Sequence, residues 1–431
     1  MGYFRQWISR MNKKKISIEK VSDYIINVVA SPMIRLGEYP AVCSVRDGLV
    51  ATVPFVILGS LLLLLAMLGQ DNTFSTHALL PIITPYSAKM ILFFQLTMGF
   101  VALYAAVAIG IIYAGFLSVD RISAALLSLA SFILFNIDNI EHGMNVSGFS
   151  AGGLFTAITS SLLSIRCYHF FVQRNIVIKM PEGVPPNVIN AFVALIPYTV
   201  ILTAFWLIRS CFNFDFNQFL NAFLIPFVNA SDNIVVYTVI KFITLMLWGV
   251  GMHGDNMLSP VVSPMLLQWV GENAKAVAEG VALTELPHIW TTVVDRLSMW
   301  PAAVWSVLFL MWRSPLKHAR QLAMMATPAS VFTIVEPIVF GLPLVLNPYL
   351  FVPFILSGTV GSLVTYAFFD LHLINRVFVE LPWATPPFIS GYIATGGDWM
   401  GVVVVIINFC LGTLIYYPFW KAWEKSQLNT N

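Results

Sequence analysis

Long apolar runs separated by short polar intervals fill most of this chain. They occupy residues 49–68, 91–117, 122–137, 154–171, 198–207, 237–250, 301–312, 348–369 and 402–419. At about 20 residues per crossing of a ~30 Å hydrocarbon layer, the pattern predicts an all-α polytopic membrane protein with roughly ten transmembrane helices plus re-entrant segments. Three further apolar stretches, 253–268, 328–348 and 382–399, are interrupted by prolines and glycines. The middle one reads PASVFTIVEPIVFGLPLVLNP. It holds Pro328, Pro337, Pro343, Pro348 and Gly341, with one carboxylate, Glu336, and no basic residue. A continuous spanning helix tolerates neither that many prolines nor an unpaired charge well. Non-helical backbone at membrane depth persists only where protein buries it or a wet cavity lines it. The segment therefore reads as a re-entrant element that presents Glu336 to a polar ligand.

Two stretches look peripheral. Residues 16–30 place Ile16, Val21, Tyr24, Ile25 and Val28 on one helix face, as in a helix lying along the membrane surface. Residues 176–197, IVIKMPEGVPPNVINAFVALIP, are amphipathic and proline-rich at their start, which suggests a surface helix or a linker.

Composition agrees with the pattern. Of 431 residues, 58% are hydrophobic and only 10% are charged, against roughly 25% charged in a soluble domain. The four cysteines, Cys43, Cys167, Cys211 and Cys410, form no CxxC pair, so no zinc or redox motif is indicated. No P-loop, dinucleotide fingerprint or metal-ligand constellation occurs, and no cofactor or metal is expected. Arg5, Arg10, Lys13, Lys14, Lys15 and Lys20 precede the first long run, which places the N-terminus in the cytoplasm by the positive-inside rule. The start is not that of a cleavable signal peptide, because the apolar run comes too late.

Three clusters can carry chemistry. The first is the run from Trp248 to Asn256, WGVGMHGDN, at the end of an apolar stretch. Its glycines allow close backbone approach, and His253 offers a donor and an acceptor to a hydroxyl; a polar helix end at the interface would look similar. The second is Glu336-Pro337. A membrane carboxylate costs at least ~2.5 kcal/mol, so it is expected to accept from a sugar hydroxyl or act as its base. The third is LPWATPPFISGY followed by TGGDW, with Trp383, Thr385 and Phe388 at its start. Aromatic faces beside polar groups suit a sugar, and they also suit an interfacial belt. Asn136, Asp138, Asn139, Glu141 and His142 read as loop residues. The adjacent Asp295 and Arg296 read as an ion pair or a loop.

These motifs resemble a family. KMPEGVPP with FVALIP, GMHGDNMLSPVVSP, ENAKAVAEG, EPIVFGLPLVLNP and LPWATPPFISGYIATGGDW occur in order along nearly the whole chain. Together they are similar to the lactose/cellobiose-type enzyme IIC of the bacterial phosphotransferase system. The resemblance implies an inner-membrane homodimer and a sugar, of β-linked disaccharide type, phosphorylated as it is taken up. It implies that His253 and Glu336 contact the sugar and serve the phosphotransfer; Gly254, Asp255, Asn256, Trp383, Thr385 and Phe388, from the clusters above, are the further candidate sugar contacts. It also implies a separate enzyme IIB that donates from a phosphocysteine, and elevator-like alternating access. On this reading residues 1–48 are a cytoplasmic N-terminus, 49–212 the dimerisation domain, 213–421 the sugar-binding domain and 422–431 a tail. Two positions depart from the family pattern: Val335 stands where an asparagine is usual, and Val294 to Trp300 replaces a glycine-rich stretch. Those departures leave open a phosphorylation-independent sugar transporter or a membrane sensor.

Overall fold

A computed structural model describes residues 38–69, 80–136, 147–181, 183–211, 214, 218–219, 232–342, 344–345 and 347–428. The surface helix expected over 16–30 and the loop residues Asp138, Asn139, Glu141 and His142 lie outside them. The described residues are helical apart from turns and extended segments. In chain order the helices are α1 (Pro40–Leu68), α2 (Ser87–Thr97), α3 (Val101–Phe116), α4 (Arg121–Asn136), α5 (Leu154–Gln173) and α6 (Pro186–Cys211). Then come α7 (Ile234–Gly249), α8 (Gly254–Ala278), α9 (Thr292–Trp300), α10 (Ser306–Trp312), α11 (Lys317–Val331) and α12 (Glu336–Gly341). The series ends with α13 (Pro348–Asp370), α14 (Pro387–Ala394) and α15 (Met400–Leu428). Six helical stretches among the described residues are long and apolar enough to cross a membrane: 40–68, 81–116, 186–211, 292–312, 349–370 and 400–428. The expected ten is thus not reached by length and composition. Helices such as α4 and α7 are apolar but shorter.

Other boundaries also moved. Helix α1 starts at Pro40, ahead of the apolar run, where proline suits the first helical position. Residues 186–211 form one helix rather than a linker, with Pro197 inside it. The stretch 253–268 is not interrupted: Pro260 and Pro264 both lie within the continuous α8. Helix α15 runs to Leu428, into the expected tail.

Helices α1–α6 pack mainly on one another, and α13 and α15 centre a second group that takes in α7, α9, α10 and α14. Helix α8 bridges the groups by packing on α1 as well as α7. The first group shows how helices associate where lipid removes the hydrophobic drive: small and hydroxylated residues face inward. On α4, Ser123, Ala124, Leu127, Ser128 and Ser131 are buried, while Ile122 and Leu126 face out. Ser128 and Ser161 lie 2.7 Å apart, and both hydroxyls are within hydrogen-bonding distance of the Ala106 carbonyl.

Two buried stretches are extended rather than helical: 286–291, between α8 and α9, and 375–382, between α13 and α14. Without helical bonding, their backbone groups need partners supplied from elsewhere. Buried polar side chains supply them. Asn273 on α8 donates to the His288 and Val377 carbonyls at 2.8 Å each and accepts from the His288 N–H at 2.9 Å. Asp232 accepts from the Ile289 and Trp290 N–H groups. Asp398 accepts from the Asn375 N–H, and Ser60 on α1 bonds both the N–H and the carbonyl of Glu380. The Arg376 guanidinium reaches the Leu286 carbonyl. Asn273 therefore ties the two extended segments to one helix and to each other.

Candidate functional site

The break between α7 and α8 builds the first half of the site. Helix α7 ends at Gly249, where a Cβ would lie 2.2 Å from the Phe351 ring. The chain turns at Gly251, whose φ of 92° lies in the left-handed region that favours glycine. It re-enters a helix at Gly254, packed so closely that a Cβ would sit 2.2 Å from the Thr244 carbonyl oxygen. His253 is the N-cap of α8. Its Nδ1 accepts from the Asn256 N–H at 3.3 Å, a task that serine or aspartate usually performs. With Nδ1 accepting, the neutral ring carries its proton on Nε2. The ring is held by Trp248, whose centroid lies 4.2 Å away, and the Trp248 Nε1–H donates to Asp255 at 2.8 Å.

The second half comes from the α11–α12 break. Thr333, at φ 60°, leaves the helix in the left-handed conformation, and α12 begins at Glu336 with Pro337 in its first turn. Proline has no N–H to lose at a helix start: Pro337 opens α12, and Pro348 opens α13 behind an Asn347 cap, whereas Pro328, expected to break the chain, lies inside α11. Val335 is buried and gives α12 no side-chain cap.

The two breaks meet. His253 Nε2 lies 3.7 Å from Glu336 Oε1, and the side chains keep 38% and 43% of their surface open. That distance exceeds a direct hydrogen bond. An oxygen placed between them could donate to the carboxylate and accept from Nε2–H, which is the bonding capacity of a hydroxyl.

Of the other expected residues, Gly254, Asp255 and Asn256 form the first turn of α8, where Asp255 braces Trp248 and Asn256 is exposed. The Trp383 carbonyl accepts from Thr333 Oγ1 at 2.9 Å, which ties its loop to a residue three before Glu336. Its indole is 69% exposed. Thr385 closes a turn onto the Pro382 carbonyl through its N–H and its hydroxyl. Phe388 instead packs on Trp305, in an apolar groove with Leu308, Phe309 and Trp312 that contains neither His253 nor Glu336. Asp295 and Arg296 do not pair with each other. Asp295 binds Lys241 at 2.6 Å and Arg296 binds Glu380 at 3.0 Å, both buried among helices. Sequence reading gave no weight to Thr333 or Glu380, whose roles depend on partners far away along the chain. Among the described residues no group of His, Cys, Asp and Glu is arranged to hold a metal.

Comparison with known proteins identifies the family. The family model for the phosphotransferase system EIIC component matches residues 46–358. The chain is 31% identical over 423 residues to the cellobiose-specific EIIC component of Geobacillus stearothermophilus, covering 91% of this chain and 92% of that protein. It is 28% identical over 393 residues to the lactose-specific EIICB component of Streptococcus mutans, covering 89% of this chain and 69% of that one. The crystal structure of the transporter ChbC, the IIC component of the N,N'-diacetylchitobiose-specific phosphotransferase system, superposes with a TM-score of 0.85 at 26% identity, covering 94% of this chain and 98% of that one. This multi-pass membrane protein therefore belongs to the EIIC family, the sugar-permease component of the phosphotransferase system.

Proposed function

We propose that this permease carries a β-linked disaccharide across the bacterial cytoplasmic membrane and presents one sugar hydroxyl between His253 and Glu336 for phosphorylation. The observation that carries this reading is the 3.7 Å gap between an Nε2–H donor and a carboxylate acceptor, both partly open and both set at helix breaks. The sugar class is supported by relatives named for cellobiose, lactose and N,N'-diacetylchitobiose. The phosphoryl donor is a phosphocysteine on a separate EIIB protein. The hydroxyl oxygen bonds to phosphorus as the S–P bond breaks, and Glu336 takes the hydroxyl proton. The negative charge gained traps the sugar in the cytoplasm.

Trp383 lends its open indole to the sugar's C–H face, while Asp255, Asn256 and Gly254 hold His253 in place. Thr385 shapes the Trp383 turn, and Phe388 supports that loop from its apolar groove. The N-terminus lies in the cytoplasm. Residues 49–212 form the homodimer-forming half and 213–421 the sugar-binding half, which shifts like an elevator between the two sides. The division into two helix groups supports that assignment, with α8 and the Ser60–Glu380 contact where the groups meet.

Glu336→Gln tests the site. Losing a charge-assisted hydrogen bond costs about 1.5–3 kcal/mol, so cellobiose affinity of the purified protein is expected to fall at least tenfold, with no EIIB-dependent phosphorylation. Unchanged binding would refute the assignment.

A further inference from the structure

We propose that Arg296 is a positioning residue for sugar binding: it fixes the Trp383 turn in register with Glu336, acting through the backbone that leads into that turn. The inference rests on the reading of Trp383 as a sugar contact given above. Arg296 lies on α9 and reaches the chain that leads into the Trp383 loop. Its side chain is buried and reaches three acceptors on three consecutive residues. One guanidinium nitrogen donates to the Glu380 carboxylate at 3.0 Å and to the Leu381 carbonyl at 2.9 Å; the other donates to the Pro382 carbonyl at 2.8 Å. Thr292, one turn earlier on α9, donates its hydroxyl to the other oxygen of Glu380. The Glu380 backbone is held from the opposite side by Ser60 of α1, which accepts from its N–H at 3.0 Å.

The Pro382 carbonyl is also the acceptor that closes the next turn, taking the Thr385 N–H at 2.9 Å and the Thr385 hydroxyl at 2.7 Å. Arg296 therefore binds the same oxygen that fixes the chain direction at Trp383. From Trp383 the link continues through its carbonyl to Thr333, the strained residue that ends α11 three positions before Glu336. The 375–382 segment has no helix or sheet of its own; backbone bonds to Leu283 and Ala394 and the side chains of Asn273 and Asp398 hold its first half, and Arg296, Thr292 and Ser60 hold residues 380–382. The indole that follows is open and touches little that would hold it. A planar fork that addresses a carboxylate and two carbonyls together is within reach of arginine; an ammonium on a flexible stem cannot reproduce its geometry.

Arg296→Lys is the test, because it keeps the buried charge opposite Glu380 while removing the fork. It is read in wild-type and Trp383→Ala backgrounds. The probes are cellobiose, lactose and N,N'-diacetylchitobiose, used with the full-length protein. Arg296→Lys is expected to weaken the best-bound sugar about tenfold in the wild-type background and to have no further effect once Trp383 is alanine. Hydrogen exchange of sugar-free protein is expected to speed up over 380–386 and to stay unchanged over 253–256. Two results would overturn the proposal: an equal loss of affinity in both backgrounds, which marks a general structural role, or exchange over 380–386 identical to wild type. If wild type binds none of the three sugars, or Glu336→Gln binds them like wild type, the functional reading fails instead. The exchange experiment then still judges the clamp. If Arg296→Lys does not fold, Thr292→Val, which removes only the support of Glu380, is read the same way with a smaller expected loss.

Discussion

Replacing His253 by asparagine separates two tasks that the imidazole performs at once. Its Nδ1 caps α8 by accepting from the Asn256 N–H, and its Nε2–H faces Glu336 across 3.7 Å. Asparagine is among the best N-caps, so His253→Asn keeps the first task, whereas His253→Ala loses it at a cost of about 1 kcal/mol. Both variants lose the ring packed 4.2 Å from Trp248, so that loss cancels when they are compared. Both also lose the Nε2–H donor. A hydrogen bond of this kind contributes about 1–1.5 kcal/mol, which corresponds to a roughly five- to thirteenfold rise in Kd. The expected outcome is that the alanine variant unfolds at a lower temperature than the asparagine variant, while the two bind cellobiose equally and more weakly than wild type. Melting curves and titration calorimetry on purified protein measure both quantities. Wild-type affinity in His253→Asn would show that the ring does not reach the ligand. Equal melting of the two variants would show that Nδ1 does not cap the helix.

The other expected outcomes concern the buried polar frame. Asn273→Ala strips partners from the His288 N–H and from the His288 and Val377 carbonyls. Each orphaned buried group costs about 1–3 kcal/mol, so the variant should melt well below wild type and exchange amide hydrogens faster in both 286–291 and 375–382. A change confined to one segment would contradict the bridging role. Lys241→Met leaves the Asp295 carboxylate buried without its partner at 2.6 Å, which should cost about 3–5 kcal/mol. Lys241→Met/Asp295→Leu should recover most of that loss, and a double variant as unstable as the single one would refute the pairing.

The helix breaks were legible in the sequence because their causes are local. Proline has no N–H to donate and glycine accepts positive φ, so interruptions near His253 and Glu336 could be expected, and the structure has a turn at Gly251 and helix starts at Glu336 and Pro348. The same local reading went too far at Pro260 and Pro264, which α8 accommodates without a break. Asp295 and Arg296 show where local reading stops. Adjacent in sequence, they point to different partners, 54 and 84 residues away. The extended stretch 286–291 was invisible for the same reason: what allows it to exist is the set of donors and acceptors on Asp232 and Asn273.

By itself the sequence determined that this protein lives in a membrane, that its helices are interrupted near His253 and Glu336, and, through an ordered set of motifs, the family to which it belongs. Only the tertiary structure decided that those two interruptions face each other, which nitrogen of His253 turns toward the carboxylate, and that buried arginine, asparagine and serine side chains hold the non-helical backbone. The reason is physical. Hydropathy and helix-breaking act over a few residues and leave a mark at each position. A hydrogen bond at membrane depth is fixed by which distant segment arrives opposite, and no single stretch of chain records that.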